Sequence, residues 1–278
     1  MCRFITSCMS VAFGKFASAK FPKKIQNIIN KSYVFLMRLD MSSFRKPTTY
    51  STLNALFTRE LVVTRDIKPE DSFISPVDGL ITEVGAISDG KSYQIKDMSY
   101  DIESLLGIQY SGAISDLEDG YFANFYLSPR DYHRYHAPCD IAIKSITHIP
   151  GKLYPVNFTF LKLIKGLFIQ NERVIIEAEN LYRKKIFIVL VGALNVGKMH
   201  FEFDKNIQTN ASTTSPSYIA YENLELKKGD LMGWFEMGST LLIFGEKDSL
   251  EFDVGINTKV SFGQKIGNIL QVTSEDDR

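Results

Sequence analysis

Cysteine is scarce in this 278-residue chain, with Cys2, Cys8 and Cys139 the whole supply. Three thiols so far apart cannot form a disulfide framework, so reduced cysteines are expected, as on the cytoplasmic side of a membrane or in the cytosol. Long apolar runs are missing too. No stretch approaches the roughly 18 residues a spanning helix needs, and the N-terminal region lacks the unbroken apolar core of a signal peptide. The expectation is a chain that neither crosses a bilayer on a helix nor is exported. Zinc signatures are also absent: there is no HExxH and no CxxC. His133, His136 and Cys139 are evenly spaced, but without such a partner motif no metal is assigned to them, and Cys139 reads equally well as a small buried apolar residue.

Net charge is zero, from 32 basic and 32 acidic residues, but its distribution is lopsided. Residues 1–50 hold nine Lys or Arg against one acid, Asp40, so a balance of +8 is offset by the rest of the chain. These charges alternate with Phe4, Ile5, Met9, Phe13, Phe16, Ile25, Ile28, Ile29, Phe35 and Leu36 at spacings near three and four. Basic amphipathic helices of this kind lie in the headgroup region of anionic membranes. A merely solvated basic surface is the competing reading, and no nucleic-acid motif accompanies the charge.

With 45% apolar and 12% aromatic residues the chain can bury a substantial core. Two short helices are predicted before residue 40, with Pro22 at the first turn of the second, and a third after Ser51 carrying Leu53, Leu56 and Phe57 on one side. From Phe73 the texture changes to β-type runs bounded by Gly, Pro, Asp and Asn, among them Leu80–Ile87, Tyr121–Leu127, Val174–Ala178, Lys185–Val191 and Leu250–Ile256. No βαβ alternation suggests a parallel sheet. The fold class is therefore α+β: a helical, basic region over residues 1–60, then a β-dominated catalytic body of antiparallel or mixed sheets over 61–278.

Three clusters could carry chemistry. Ser75-Pro76-Val77-Asp78-Gly79 reads first as a turn. Residues 126–138, YLSPRDYHRYHAP, gather His133 and His136 beside Arg, Asp and Tyr. Residues 228–240, KGDLMGWFEMGST, contain the single tryptophan and end in Gly238-Ser239-Thr240, alone a common loop tripeptide. Together they supply a hydroxyl nucleophile, a histidine base and an aspartate to orient it.

The same segments carry a likeness. SPVDG at 75–79, FYLSPRDYHRYHAP at 125–138, GKLYPVN at 151–157, NERV at 171–174, VGALNVGK at 191–198 and KKGDLMGWFEMGST at 227–240 fall in the order and spacing of one family, with LFTREL at 56–61 leading into the core. The chain resembles the phosphatidylserine decarboxylases. The resemblance implies that Asp78, His136 and Ser239 form a self-processing triad and that His133 serves decarboxylation. It implies cleavage between Gly238 and Ser239 into chains 1–238 and 239–278 that stay associated. Ser239 would become an N-terminal pyruvoyl group that condenses with the amine of phosphatidylserine in an anionic membrane. A peripheral enzyme on the cytoplasmic face of the cell membrane is implied, and a homodimer is suggested. Two departures from the pattern are Met237 before the Gly-Ser bond and Asp140-Ile141 where a glycine is frequent.

A serine hydrolase would use the same Asp, His and Ser in the same chain order. A non-enzymatic β-rich binding module leaves the histidine cluster unexplained. Persistence of the serine separates the two enzymes, because a hydrolase keeps Ser239 in one chain. Purified protein is expected to run as a large and a small fragment on a denaturing gel, and Ser239→Ala to stay whole; an active enzyme of uncut mass would sink the self-processing reading.

Overall fold

A computed structural model describes residues 14–67, 71–88, 91–94, 98–156, 158–193, 198–207, 209, 215–236 and 239–271. Cys2, Cys8, Met237, Gly238 and the apolar positions from Phe4 to Phe13 lie outside the described residues.

Residues 14–18 are helical, and α1 (Lys23–Met37) begins just after Pro22, whose fixed φ suits a helix start. A short α2 (Leu53–Phe57) follows, capped by the Thr52 hydroxyl accepting from the Ala55 amide at 3.0 Å. Its Leu53, Leu56 and Phe57 are all buried, the side expected from their spacing.

Beyond it the chain runs mainly in short strands. The first eight are β1 (Ser72–Ile74), β2 (Gly79–Ala86), β3 (Lys91–Gln94), β4 (Met98–Asp101), β5 (Tyr121–Leu127), β6 (Arg134–His136), β7 (Ile141–Ile149) and β8 (Arg173–Asn180). Then come β9 (Lys185–Val191), β10 (Met199–Phe201), β11 (Ser217–Leu226), β12 (Leu231–Phe235), β13 (Ser239–Gly245), β14 (Leu250–Phe252), β15 (Thr258–Val260) and β16 (Lys265–Ile269). The class is α+β with the sheets dominant, as expected.

Eight strands form one antiparallel sheet in the order β11-β7-β8-β9-β13-β5-β2-β15. Its central strands are apolar on both faces. On β9, Ile186, Ile188 and Leu190 join one core cluster while Phe187, Val189 and Val191 join another. β13 divides in the same way, with Leu241 and Ile243 on one side and Leu242 and Phe244 on the other. This explains why these strands read as unbroken apolar runs, since side chains alternate between faces and here both faces are covered.

One face packs against the small sheets β1-β16-β14 and β10-β12-β6, which contribute Phe73, Tyr135, Phe235 and Ile266. The other is covered by α3 (Ile102–Leu106) and the helical segments near 158–170, through Leu105, Leu161 and Phe168. The NERV segment ties this layer down. Arg173 is buried and donates to the carbonyls of Ser104, Leu105 and Ile169, while the Asn171 amide reaches the carbonyls of Tyr154 and Gly192.

Helix α1 is inverted relative to an ordinary surface helix. Its polar Gln26 and Asn30 are buried, with the Asn30 amide donating to the Pro47 and Tyr50 carbonyls at 2.9 and 3.0 Å. Ile28, Phe35 and Leu36 are 65%, 81% and 71% exposed. Among the described residues no helix is long and apolar enough to cross a membrane.

Candidate active site

The three chemical clusters are far apart in sequence and are laced together by backbone hydrogen bonds. The His136 amide donates to the Pro76 carbonyl at 3.0 Å, and the Ile74 amide to the Pro138 carbonyl at 3.0 Å. On its other side β6 pairs with β12, His136 lying opposite Leu231, and the Ala137 amide donates to the Asp230 carbonyl. The Phe235 amide donates to the His133 carbonyl at 2.9 Å, and Ser239 opens β13 opposite Leu127, the last residue of β5. The chain from Phe235 to Ser239 thus leaves the histidine segment and rejoins the strand that leads into it.

Asp78 ends the SPVDG turn, which the Ser75 hydroxyl stabilises by donating to the Val77 carbonyl at 2.7 Å. Gly79 is required next, because a Cβ there would stand 2.8 Å from the Tyr126 carbonyl oxygen across the β2–β5 pair. The carboxylate takes both guanidinium Nη groups of Arg65, Nη2 at 2.9 Å, and the Phe262 amide at 2.8 Å.

His136 donates no hydrogen bond to Asp78. Its Nδ1 lies 2.9 Å from the Gly229 carbonyl, which can only accept, so that nitrogen carries the proton and Nε2 accepts from the Tyr132 hydroxyl at 3.0 Å. Burial raises the Tyr132 pKa and keeps this hydroxyl protonated at neutral pH. The Phe262 ring lies flat on the imidazole, centroids 3.6 Å apart, so one residue caps His136 with its ring and Asp78 with its amide. Burial, with the nearby cations Arg134 and Arg65, brings the His136 pKa down to about 4.

His133 is wholly buried beside the Phe57 ring, centroids 4.0 Å apart. Its Nδ1 donates to the Asp131 carbonyl at 2.9 Å, leaving Nε2 as a bare acceptor without a partner among the described residues. Burial and the Arg59 charge lower its pKa to about 3. Ser239 is 0% exposed, and among the described residues its Oγ has no hydrogen-bond partner either. Buried polar atoms left empty cost about 1–3 kcal/mol each, so each calls for an explanation.

Glu236, three residues before Ser239, is anchored firmly. Its carboxylate accepts from His200 at 2.9 Å and Asn54 at 3.2 Å, and its amide donates to the Lys198 carbonyl. Burial pushes the carboxyl pKa up, but the His200 and Asn54 hydrogen bonds outweigh it and hold the group below its ordinary value. Cys139 lies in the core with its thiol pushed up to about 12 by burial, the environment of a small apolar residue.

Sequence reasoning named Asp78, His133, His136 and Ser239 but not Arg65, Tyr132, Phe262 or Arg59. Tyr132 and Arg59 stand inside quoted motifs and could have been weighed there. Arg65 and Phe262 offer no signal, since they meet Asp78 only through the fold.

The antiparallel sheet presents a buried serine hydroxyl at a strand head, paired with the end of the strand that leads into two buried histidines, the elements of a serine-centred reaction site. The family model for phosphatidylserine decarboxylase matches residues 53–268. A Campylobacter jejuni protein named phosphatidylserine decarboxylase proenzyme is 45% identical over 262 residues, 92% of this chain and 96% of that protein. A Helicobacter pylori protein of the same name is 43% identical over 95% of this chain and 97% of its own, and one from Idiomarina loihiensis 35% identical over 88% and 86%. The chain belongs to the phosphatidylserine decarboxylase family.

The buried neutral histidines have a consequence for acid stability. Their folded pKa values lie below the unfolded value near 6.5, so between these limits the unfolded chain binds more protons. Stability is then full above about pH 6.5 and falls as the pH drops towards about 4 for His136 and about 3 for His133. Urea unfolding of uncut Ser239→Ala protein is expected to show this fall below pH 6.5, with a shallower slope in Ser239→Ala/His133→Gln. Equal slopes would remove the desolvated His133 from the account.

Proposed function

We propose that the chain is a phosphatidylserine decarboxylase proenzyme that cuts itself between Gly238 and Ser239 and turns Ser239 into a pyruvoyl group. The observation that carries this reading is the buried, unpartnered Ser239 hydroxyl at the head of β13, in a chain whose relatives are named proenzymes.

In the proposed cleavage the Ser239 hydroxyl attacks the Gly238 carbonyl, and an ester replaces the amide. A base must take the hydroxyl proton. His136 is the assigned base; its lowered pKa keeps it neutral at pH 7, and Asp78 is the assigned carboxylate for stabilising the cation that forms. To reach the serine His136 gives up the Tyr132 hydroxyl, an exchange of one hydrogen bond for another. Loss of the acyl group by β-elimination then ends chain 1–238 at Gly238. The dehydroalanine left at position 239 takes up water and loses ammonia to become the pyruvoyl ketone. The buried, unshared Ser239 side chain fits such a conversion, because no neighbour depends on the hydroxyl that is lost.

The pyruvoyl group supplies an electron sink for the carbon that loses carbon dioxide, as pyridoxal phosphate does elsewhere. His133 is assigned to proton delivery at that carbon. Its Nδ1 is held by the Asp131 carbonyl, so only Nε2 can carry a proton inward. One observation favours a second reading of the bases: His133 Nε2 and Ser239 Oγ are both buried and both unpaired, so His133 could serve the serine in place of His136.

The two readings give different variants. With His136 as the cleavage base, His136→Ala and Asp78→Ala accumulate uncut precursor, slowed by about 10² to 10⁴. His133→Ala then still cuts itself, forms the ketone and turns over phosphatidylserine poorly. Uncut His133→Ala beside normally cut His136→Ala would reverse the assignment.

The site is proposed to work at an anionic membrane, with α1 and the basic region before it as the attachment. Support comes from the +8 balance of residues 1–50 and from Ile28, Phe35 and Leu36 facing outward. Electrostatic attraction is worth about 1 kcal/mol per basic residue and is screened by salt, whereas apolar insertion is not. Deleting residues 1–40 is expected to weaken sedimentation with anionic liposomes, and high salt to release only part of the full-length protein. Equal sedimentation with and without the segment would refute the attachment.

A further inference from the structure

Between the end of α1 and the SPVDG turn lies a cavity of about 270 Å³ lined by five basic and three acidic side chains. The acids are already engaged. Asp78 holds Arg65, Asp131 accepts from the Ser128 amide and hydroxyl at 2.8 and 2.7 Å, and Asp40 accepts from the Ser42 amide at 2.9 Å. The bases other than Arg65 are not matched in this way. Among the described residues no carboxylate forms an ion pair with Arg38, Arg59, Arg130 or Lys259.

Arg59 is the centre of this imbalance. It is 2% exposed, and its Nη2 donates to the carbonyls of Arg130 and Asp131 at 2.9 and 3.1 Å. The guanidinium lies over the Phe44 ring, 4.5 Å from its centroid, but among the described residues its buried Nε and Nη1 have no hydrogen-bond acceptor. A guanidinium taken out of water with two of its three nitrogens empty calls for an anion, and oxyanions are the ligands its planar donors match best.

Position narrows the anion further. The Asp131 carbonyl that holds Arg59 also holds His133 Nδ1, so the empty guanidinium adjoins the histidine assigned to decarboxylation. Arg38 follows the exposed Phe35 and Leu36 as the left-handed cap of α1, which puts the cavity mouth beside the proposed lipid-facing surface. A second depression, of about 370 Å³, shares Arg65 and Tyr132 with the first and is edged by the exposed Val62 and Val63. A basic cavity next to a depression with an exposed valine edge suits a ligand with an anionic group beside hydrocarbon.

We propose that this cavity is the phosphodiester subsite of the enzyme: Arg59 takes the phosphate of the lipid headgroup, with Arg38, Arg130 and Lys259 around it. The identity of the lipid rests on the decarboxylase reading above. The substrate carboxylate is the poorer candidate, because a cation that stabilises it opposes its loss as carbon dioxide. The phosphate keeps its charge throughout the reaction, so binding it is uniform and belongs in KM rather than kcat.

The test uses self-cleaved full-length protein, with short-chain phosphatidylethanolamine and free serine as probes in calorimetry and short-chain phosphatidylserine as the substrate in turnover assays. Arg59→Lys keeps the charge but loses the fork of donors. It is expected to raise Kd for phosphatidylethanolamine and KM for the serine lipid by about tenfold or more, to leave kcat within about twofold, and to leave the weak response to serine unchanged. Inorganic phosphate should compete with both lipids in the wild type. Unchanged Kd for phosphatidylethanolamine in the variant overturns the proposal. So does a loss confined to the serine lipid, which would make the cavity a carboxylate site. Slower self-cleavage with unchanged Kd in the cut fraction also overturns it, by reducing Arg59 to a support for the Ser128–Asp131 turn. Should Arg59→Lys fail to fold, Arg130→Gln/Lys259→Gln carries the same comparison, and an unchanged Kd there counts equally against the subsite. Wild-type protein that binds phosphatidylethanolamine yet decarboxylates nothing would sink the proposed function while leaving the subsite standing.

Discussion

The hydrogen bonds made by β6 are the constraint on which the site depends. Three residues long, this strand is bonded to the SPVDG turn through the His136 amide and to β12 through the Leu231 register. It therefore fixes the distance between residues 75–79 and 231–235, 156 positions apart in the chain, and it does so with main-chain groups that leave side chains free. Its own stability comes from Tyr135, which is fully buried among Phe201 and Phe235 and donates its hydroxyl to the His200 carbonyl at 2.6 Å. Packing on one side of the strand thus sets the imidazole on the other.

Desolvation then decides which groups are available. Both histidines are neutral because burial removes the water that would stabilise their cations. Each has its tautomer fixed by a carbonyl that can only accept, Gly229 for His136 and Asp131 for His133, so both present Nε2 as the acceptor. The two differ in what meets that nitrogen. Among the described residues Tyr132 answers His136, and nothing answers His133. Ser239 is equally unanswered, at the head of a strand whose other residues are saturated by pairing with β5 and β9.

Much of this was legible in the sequence, for identifiable reasons. The strands with strong apolar runs, Tyr121–Leu127 and Lys185–Val191, carry the bounds expected of them, because burial on both faces leaves no ambiguity of pattern. β11 was not legible. It is an edge strand with charged Glu222 and Glu225, the composition that protects an edge and that in sequence resembles a loop. Asp78 was visible as a residue, but its partners were not. Arg65 and Phe262 sit 13 and 184 residues away, and only the pairing of β2 with β15 brings the second of them near. The first thirteen residues and Gly238, on which part of the sequence argument rests, lie outside the described residues.

The Arg65 clamp on Asp78 bears on how a self-processing site can be stable before it acts. A carboxylate poised directly on His136 would raise the imidazole pKa and with it the charged fraction that cannot act as a base. Here the charge of Asp78 is spent on Arg65 and the Phe262 amide, and His136 stays neutral against Tyr132. Handing the Tyr132 hydroxyl over for that of Ser239 changes the net hydrogen-bond energy by only about 1 kcal/mol. Asp78 remains close enough to favour the cation electrostatically once the proton arrives. In the proposed cleavage the resting arrangement is therefore a base kept uncharged by its surroundings, with the stabilising carboxylate already in place for the charge that the reaction creates.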